Sequence, residues 1–418
     1  MSKPPQFAPR ARETLTWKER FKAIGPGAFV AAGIIGPGTV TTFSVVGADW
    51  RYAGLWVIVV GTVIAYVFLA PALRLASVSN ESLMDVTRTR ISKTAAVVMF
   101  AGAFIGALAF QTGNFVGAGM AANMFLPGLT VQLWATITAF ITLVIVWVGV
   151  YRLLENVMTV AVALMALAFV ITAVGSAPRT NEIIVEGFQF STLGGDWILI
   201  GALIATTVVP TGALALSSML KRKNAESSVP PTRRLKRSQF DLRLNVIMVG
   251  LIGVAVCVTS GTVIYTGGSN VESAADMAEQ LTPLLGRYAG VLFALGLFVA
   301  GITSGLYHAT LQPLLLCEAT GKEYDGKSSL SRGVGAFVLV VPVGLLWLFG
   351  ETPVELIVTA QAVNALVLPM VAIIMAILVR KSEIFGSLRY NTVQFTAFLV
   401  VVGITLLLGL RVLIGFFI

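Results

Sequence analysis

The chain has 418 residues, of which 56% are hydrophobic and only 12% charged, with a mean hydropathy of +0.88. A soluble domain carries about 25% charge, so this composition excludes a soluble enzyme, a disordered chain and a disulfide scaffold. Two cysteines, Cys257 and Cys317, sit in apolar runs and build no framework, and a single histidine argues against a His-rich metal enzyme.

A membrane-spanning helix needs about 20 mostly apolar residues. Eleven candidates follow in chain order, near 21–47, 54–77, 94–123, 130–149, 155–175, 195–220, 241–265, 288–316, 333–349, 353–379 and 393–416. The runs are long and continuous, where the strands of a membrane barrel would be about ten residues and alternating. The expected class is an all-α integral membrane protein. The basic stretch before the first span, residues 1–20, reads as a cytosolic tail and not as a signal peptide.

Lys and Arg set orientation. With a cytosolic N-terminus and alternating sides, the cytosolic segments hold 24 of the 29 basic residues, and the external segments hold Arg51, Arg179 and Arg287. Eleven spans then place the C-terminus outside. The net charge of +9 is therefore a topology signal, with no folded basic face for nucleic acid. Lys221-Arg222-Lys223 and Arg233-Arg234-Leu235-Lys236-Arg237 form the largest cluster, expected in the loop after span six. Topology alone explains it; contact with anionic headgroups of the bilayer is the functional alternative.

Spans one and six are interrupted. Gly36-Pro37-Gly38 sits in the middle of the first, and Pro210 with Gly212 near the middle of the sixth. Proline lacks an N–H and glycine tolerates unusual dihedrals, so both helices are expected to unwind. The two breaks lie five spans apart, at corresponding places in two halves, which points to an inverted-repeat transporter with its substrate site at the midplane. Ordinary proline kinks are the plainer reading.

At these residues the chain resembles the NRAMP family of proton-coupled divalent-metal transporters, over nearly its whole membrane part. Gly36-Pro37-Gly38-Thr39 is similar to the family's Asp-Pro-Gly-Asn. Thr207-Val208-Val209-Pro210-Thr211-Gly212 is similar to its Ala-Thr-Val-Met-Pro-His-Asn. ESAADMAEQLTPLLG and AQAVNALVLP, the latter with Gln361 and Asn364, also match family segments. The resemblance implies a LeuT-like fold: two inverted five-helix repeats, 21–175 and 195–379, within a transport core at 21–379, and an eleventh span at 393–418.

The departures concern the cargo. The family's metal-binding Asp, Asn and Met fall at Gly36, Thr39 and Val209. Its Asp and Glu of span three, tied to the proton path, fall at Gln111 and Asn114, and its span-six histidine falls at Thr211. A carboxylate, an amide and a thioether have gone, and amides do not titrate. Soft divalent metals want N or S donors and hard cations want oxygen. The expectation is a neutralised site that does not carry transition metals, with a small anion, zwitterion or neutral solute as cargo. The alternative is a divalent cation such as Mg²⁺ or Mn²⁺, held by carbonyls, amides and retained water. A second alternative is a non-transporting sensor or partner protein.

The expected lining is Gly36, Gly38, Thr39, Thr207, Val209, Thr211, Gly212, Gln111, Asn114, Gln361 and Asn364, with Thr41, Thr42 and Thr206 as further donors and several threonines bonding their own helix instead. His308 in span eight is a candidate gate or proton relay by its position in the membrane; a neutral histidine bonded to a neighbouring helix is the plainer reading. No resident metal, cofactor or catalytic group is expected. The sequence has no HExxH motif.

Overall fold

The computed structural model describes residues 25–148, 151–176, 180–190, 195–225, 228–268, 270–349 and 353–417. The basic tail at 1–20 and Arg179 lie outside these residues. Every regular element among the described residues is helical.

Span one is two half-helices, α1 (Pro26–Ile34) and α2 (Pro37–Trp50). Spans two to five are α3 (Leu55–Ser79), α5 (Lys93–Phe125), α6 (Val131–Val148) and α7 (Tyr151–Gly175), with a short α4 (Leu83–Arg90) between the second and third. A surface helix, α8 (Thr180–Gly187), precedes the broken span six, α9 (Trp197–Thr207) and α10 (Pro210–Ala225). Then come α11 (Pro231–Gly267), the short α12 (Ala274–Glu279) and α13 (Thr282–Leu285), and α14 (Ala289–Thr320), α15 (Ser329–Phe349) and α16 (Pro353–Arg380). A short α17 (Ser382–Phe385) precedes the last span, α18 (Thr392–Gly415). Nine of these stretches are long and apolar enough to cross a bilayer whole. The broken α1–α2 pair and α7 fill the other two places of the eleven-span map.

The molecule is apolar outside and mixed inside. Val63, Phe140, Trp147, Leu348 and Leu410 point outward, while Thr39, Gln111, Asn114, Ser304, His308, Gln361 and Asn364 are fully enclosed. Lipid is as apolar as leucine, so helices associate through close backbone approach at small residues. α5 shows this. A Cβ placed on Gly117 would lie 2.4 Å from Pro37 Cβ, and one on Gly106 would lie 2.7 Å from Asn364 Oδ1. Glycine spacing along α5 thus admits both the broken span and α16.

The basic cluster differs from expectation. Only residues 226–230 separate α10 from α11, so Lys221–Lys223 end one helix and Arg233–Arg237 begin the next. Lys and Arg are good helix formers, and beyond the bilayer water satisfies their charges. Much of the cluster is engaged within the protein. Lys221 Nζ reaches Asp85 Oδ2 at 2.6 Å and Glu318 Oε1 at 3.5 Å. The Arg222 guanidinium lies 4.6 Å from the centre of the Tyr324 ring. Around Lys221, Ser218 Oγ donates to Glu318 Oε2 at 2.6 Å, Arg88 Nε to the Glu318 carbonyl at 3.1 Å, and Leu83 N–H to Ser217 Oγ at 3.0 Å. This knot ties α4, α10 and α14 together. It also starts α4, whose Ser82 and Asp85 form a reciprocal capping box.

The first half-helix is fastened from a distance. Asp241, buried on α11, accepts from Gly27 N–H at 2.7 Å and Gly25 N–H at 3.3 Å, and Asn245 Nδ2 steadies the carboxylate at 2.9 Å. A carboxylate on orphan N–H groups at a helix N-terminus is the favourable sign for the helix dipole. Asp241→Asn should therefore loosen α1. Hydrogen exchange over residues 25–34 is expected to speed up several-fold while α3 and α5 stay protected; unchanged exchange would show that α1 is held by packing alone.

Candidate substrate site

At the first break Ile35 N–H still bonds back to Ala31 (2.9 Å), and Gly36 N–H turns to Ile34 O (2.9 Å). The helical ladder restarts only at Val40 N–H to Gly36 O (3.1 Å). At the second, Val208 N–H bonds to Ile204 O (2.8 Å) and Gly212 N–H to Val209 O (2.9 Å). No N–H in these turns takes the carbonyls of Ile35 or Val208. Pro71, Pro313, Pro342 and Pro369 lie inside helices that continue through them. Proline alone does not open these spans, and both predicted breaks are true interruptions.

The two breaks meet. Thr39 Oγ1 donates to Ile34 O at 2.6 Å and lies 2.7 Å from Thr206 Oγ1. Since the Thr39 proton is committed to Ile34, Thr206 is the donor of that pair. Asn114 on α5 joins the same centre. Its Oδ1 accepts from Gly38 N–H at 3.1 Å, and its Nδ2 donates to Ser304 Oγ at 2.7 Å. Gln361 of α16 covers Gly38 so closely that a Cβ there would lie 2.0 Å from its Nε2, and a Cβ on Gly113 would lie 2.9 Å from the same atom. Gly36, Gly38, Thr39, Asn114 and Gln361 thus form one contact group.

The other expected residues lie further out. Asn364 abuts Gly106, about 10 Å along α5 from the Gln361 contact by helical rise. Gln111 is buried near Gly305. Neither the amide of Gln111 nor those of Gln361 and Asn364 has a hydrogen-bond partner among the described residues. Thr211 stands against the Tyr307 hydroxyl. Thr207 bonds its own helix at Leu203 O (3.0 Å) and borders a small apolar cavity of about 20 Å³ between α1, α3, α9, α10 and α11. Gly212 packs on Val30 and Leu69, and Val209 is buried. Thr42 turns back to Gly38 O (2.8 Å), as expected of some of the threonines, and Thr41 is buried.

His308 is enclosed between Phe110 (5.7 Å between ring centres) and Tyr307 (5.0 Å). Neither ring nitrogen bonds a neighbouring helix among the described residues, so the plainer expectation for it is not met. Ser304 and Gln312, which sequence reasoning did not place in the site, flank it at one-turn intervals on α14 and are buried. The spacing Ser304–His308–Gln312 is the signal that could have found them. Among the described residues no three His, Cys, Asp or Glu side chains cluster as a metal ligand set. The buried acids Asp241 on α11 and Glu318 on α14 are engaged with Gly27 of α1 and Lys221 of α10, away from the breaks.

Two broken helices meeting inside an all-helical bundle, with polar side chains gathered at their breaks, define a membrane transporter of LeuT-like fold. The family model described as natural resistance-associated macrophage protein-like matches residues 27–415. The chain belongs to the NRAMP family. The divalent metal cation transporter MntH of Aeromonas hydrophila is 25% identical over 386 residues, covering 90% of this chain and 91% of that protein. MntH of Deinococcus radiodurans is 23% identical, covering 87% and 83%. Among solved structures, the Eremococcus coleocola manganese transporter superposes with a TM-score of 0.79 at 17% identity, over 98% of this chain and 88% of that one. MhsT in complex with L-phenylalanine gives 0.61 at 15% identity, over 94% and 97%. The chain is thus a membrane transporter-family protein and not an enzyme, and the family and fold expected from its sequence hold.

Proposed function

We propose that this chain is a secondary transporter that moves a divalent metal cation by alternating access, holding it with neutral oxygens and part of its hydration shell. The observation that carries the reading is the set of enclosed amides with open hydrogen-bonding capacity, Gln361 against the break at Gly38 and Gln111 and Asn364 further out in the bundle. Amide and backbone carbonyl oxygens suit hard cations, and Mg²⁺ keeps several waters. The MntH relatives are divalent metal cation transporters by name, which favours a cation over the non-metal cargo expected from the sequence. A second reading, a small anion, zwitterion or neutral solute, draws on the break itself. It offers no carboxylate and no thioether at Gly36, Thr39 and Val209, so a weakly hydrated or soft metal gains nothing there.

The expected lining residues are part of this proposal, with Gly36, Gly38, Thr39, Asn114 and Gln361 at its centre. So is the division into repeats at 21–175 and 195–379. The excess of Lys and Arg supports a cytosolic N-terminus and an external C-terminus, in a bacterial cytoplasmic membrane like that implied by the MntH relatives. Uptake into proteoliposomes separates the readings. Saturable Mg²⁺ or Mn²⁺ uptake, with Mn²⁺ weaker than micromolar, is expected. Uptake of bicarbonate or small amino acids without any divalent cation would overturn the proposal in favour of the second reading.

A further inference from the structure

Gly36 is the N-cap of α2, in an extended conformation (φ −121°, ψ −179°) open to any residue. An N-cap side chain ordinarily accepts a hydrogen bond from the N–H two or three residues on. Glycine has no such side chain, and Pro37 has no N–H, so the first orphan donor of α2 is Gly38. Asn114 supplies the acceptor from another helix, 76 residues along the chain, at 3.1 Å. Its amide is oriented from the far end: Nδ2 donates to Ser304 Oγ at 2.7 Å, and Ser304 Oγ–H donates to Gly33 O at 3.4 Å, near the end of α1. One side chain therefore caps the second half-helix and, through Ser304, holds the end of the first.

The cap and the glycine occupy complementary space. A Cβ on Gly36 would lie 2.4 Å from Asn114 Oδ1 and 3.0 Å from its Cγ. Asn114 is fully buried, bonded at both ends of its amide and unable to swing aside without uncapping Gly38. A side chain at 36 and an asparagine at 114 exclude one another.

We infer that Asn114 is the specificity-determining residue of the site: a cap delivered in trans that fills the place of a side chain at position 36 and keeps the broken helix neutral. A carboxylate at 36 would cap Gly38 itself and bring a negative charge to the break; Asn114 caps without charge. The specificity part rests on the cation-site reading above, whereas the steric exclusion does not.

The test is a double-mutant cycle with two readouts. In thermal unfolding of the purified full chain in detergent, Gly36→Ala should lower the midpoint by roughly 2 °C or more, and by much less when Asn114→Ala is present. Equal losses in both backgrounds would overturn the exclusion. In Mn²⁺ titrations, Gly36→Asp together with Asn114→Ala should bind at least about tenfold tighter than Gly36→Asp alone. Equal binding by the single and double variants, at any strength, would overturn the specificity role. Should the aspartate variants fail to fold, the alanine cycle alone decides the inference. Failure of the natural chain to take up divalent cations would strike the proposed function and leave the alanine cycle standing; an additive cycle with cation uptake intact would strike this inference only.

Discussion

Lys221→Met should destabilise the folded protein by about 2 kcal/mol, and adding Glu318→Gln should recover most of the loss. Lys221 stands between Asp85 and Glu318, whose side chains are 13% and 6% exposed. Removing one partner of a buried ion pair costs about 3–5 kcal/mol because a charge stays behind unpaired. Lys221 itself is 35% exposed, so solvent screening brings the figure down. The same knot gives an acid signature. Burial pushes the Asp85 carboxyl up, but hydrogen bonds from Lys221 and Ser82 outweigh it and hold the group below the usual carboxylate range. A depressed carboxylate contributes stability that is present above its unfolded pKa, about 4, and lost as pH falls through the folded value. Melting temperature is thus expected to hold down to about pH 4 and fall below it. Asp85→Asn should lower the plateau and flatten that acid limb. A steep acid limb surviving in Asp85→Asn would assign it to other groups.

At the other extreme of chemistry, Gly38→Ala should cut the initial rate of uptake by about tenfold or more while leaving the chain folded. The added methyl would lie 2.0 Å from Gln361 Nε2. The end of a glutamine is flexible, so the bundle need not open; the amide moves instead. A misplacement of about 1 Å in a positioned group is enough for large losses of rate. Uptake and melting temperature measured on the same preparation check this. Full uptake with Gly38→Ala would remove Gln361 from the site.

The spans were legible because a bilayer imposes length and apolarity on every crossing. Both breaks were legible too, though not from proline alone. Pro71 or Pro369 looks no different in the sequence from Pro210, yet their helices continue. Gly36-Pro37-Gly38 combines a missing donor with two residues lacking a Cβ, which is why that reading held. The residue types of the site were visible, but their pairing was not. Asn114 meets Gly38 and Ser304 across 76 and 190 positions. A serine inside a helix reads the same whether it bonds its own backbone or a neighbour's amide, and so Ser304 was passed over. The basic cluster was shaped wrongly: counting its charges does not reveal that they continue two helices or that Lys221 is held by two carboxylates.

The Thr39–Thr206 pair has a consequence for coupling. It is a hydrogen bond between the opening helices of the two halves, and Thr206 spends its proton on it. A cargo whose oxygens or bound waters accept the Thr206 proton must undo that link. Part of its binding energy is then returned as freedom for the halves to move apart. Loading and motion would share one hydroxyl pair, without a titrating acid between them.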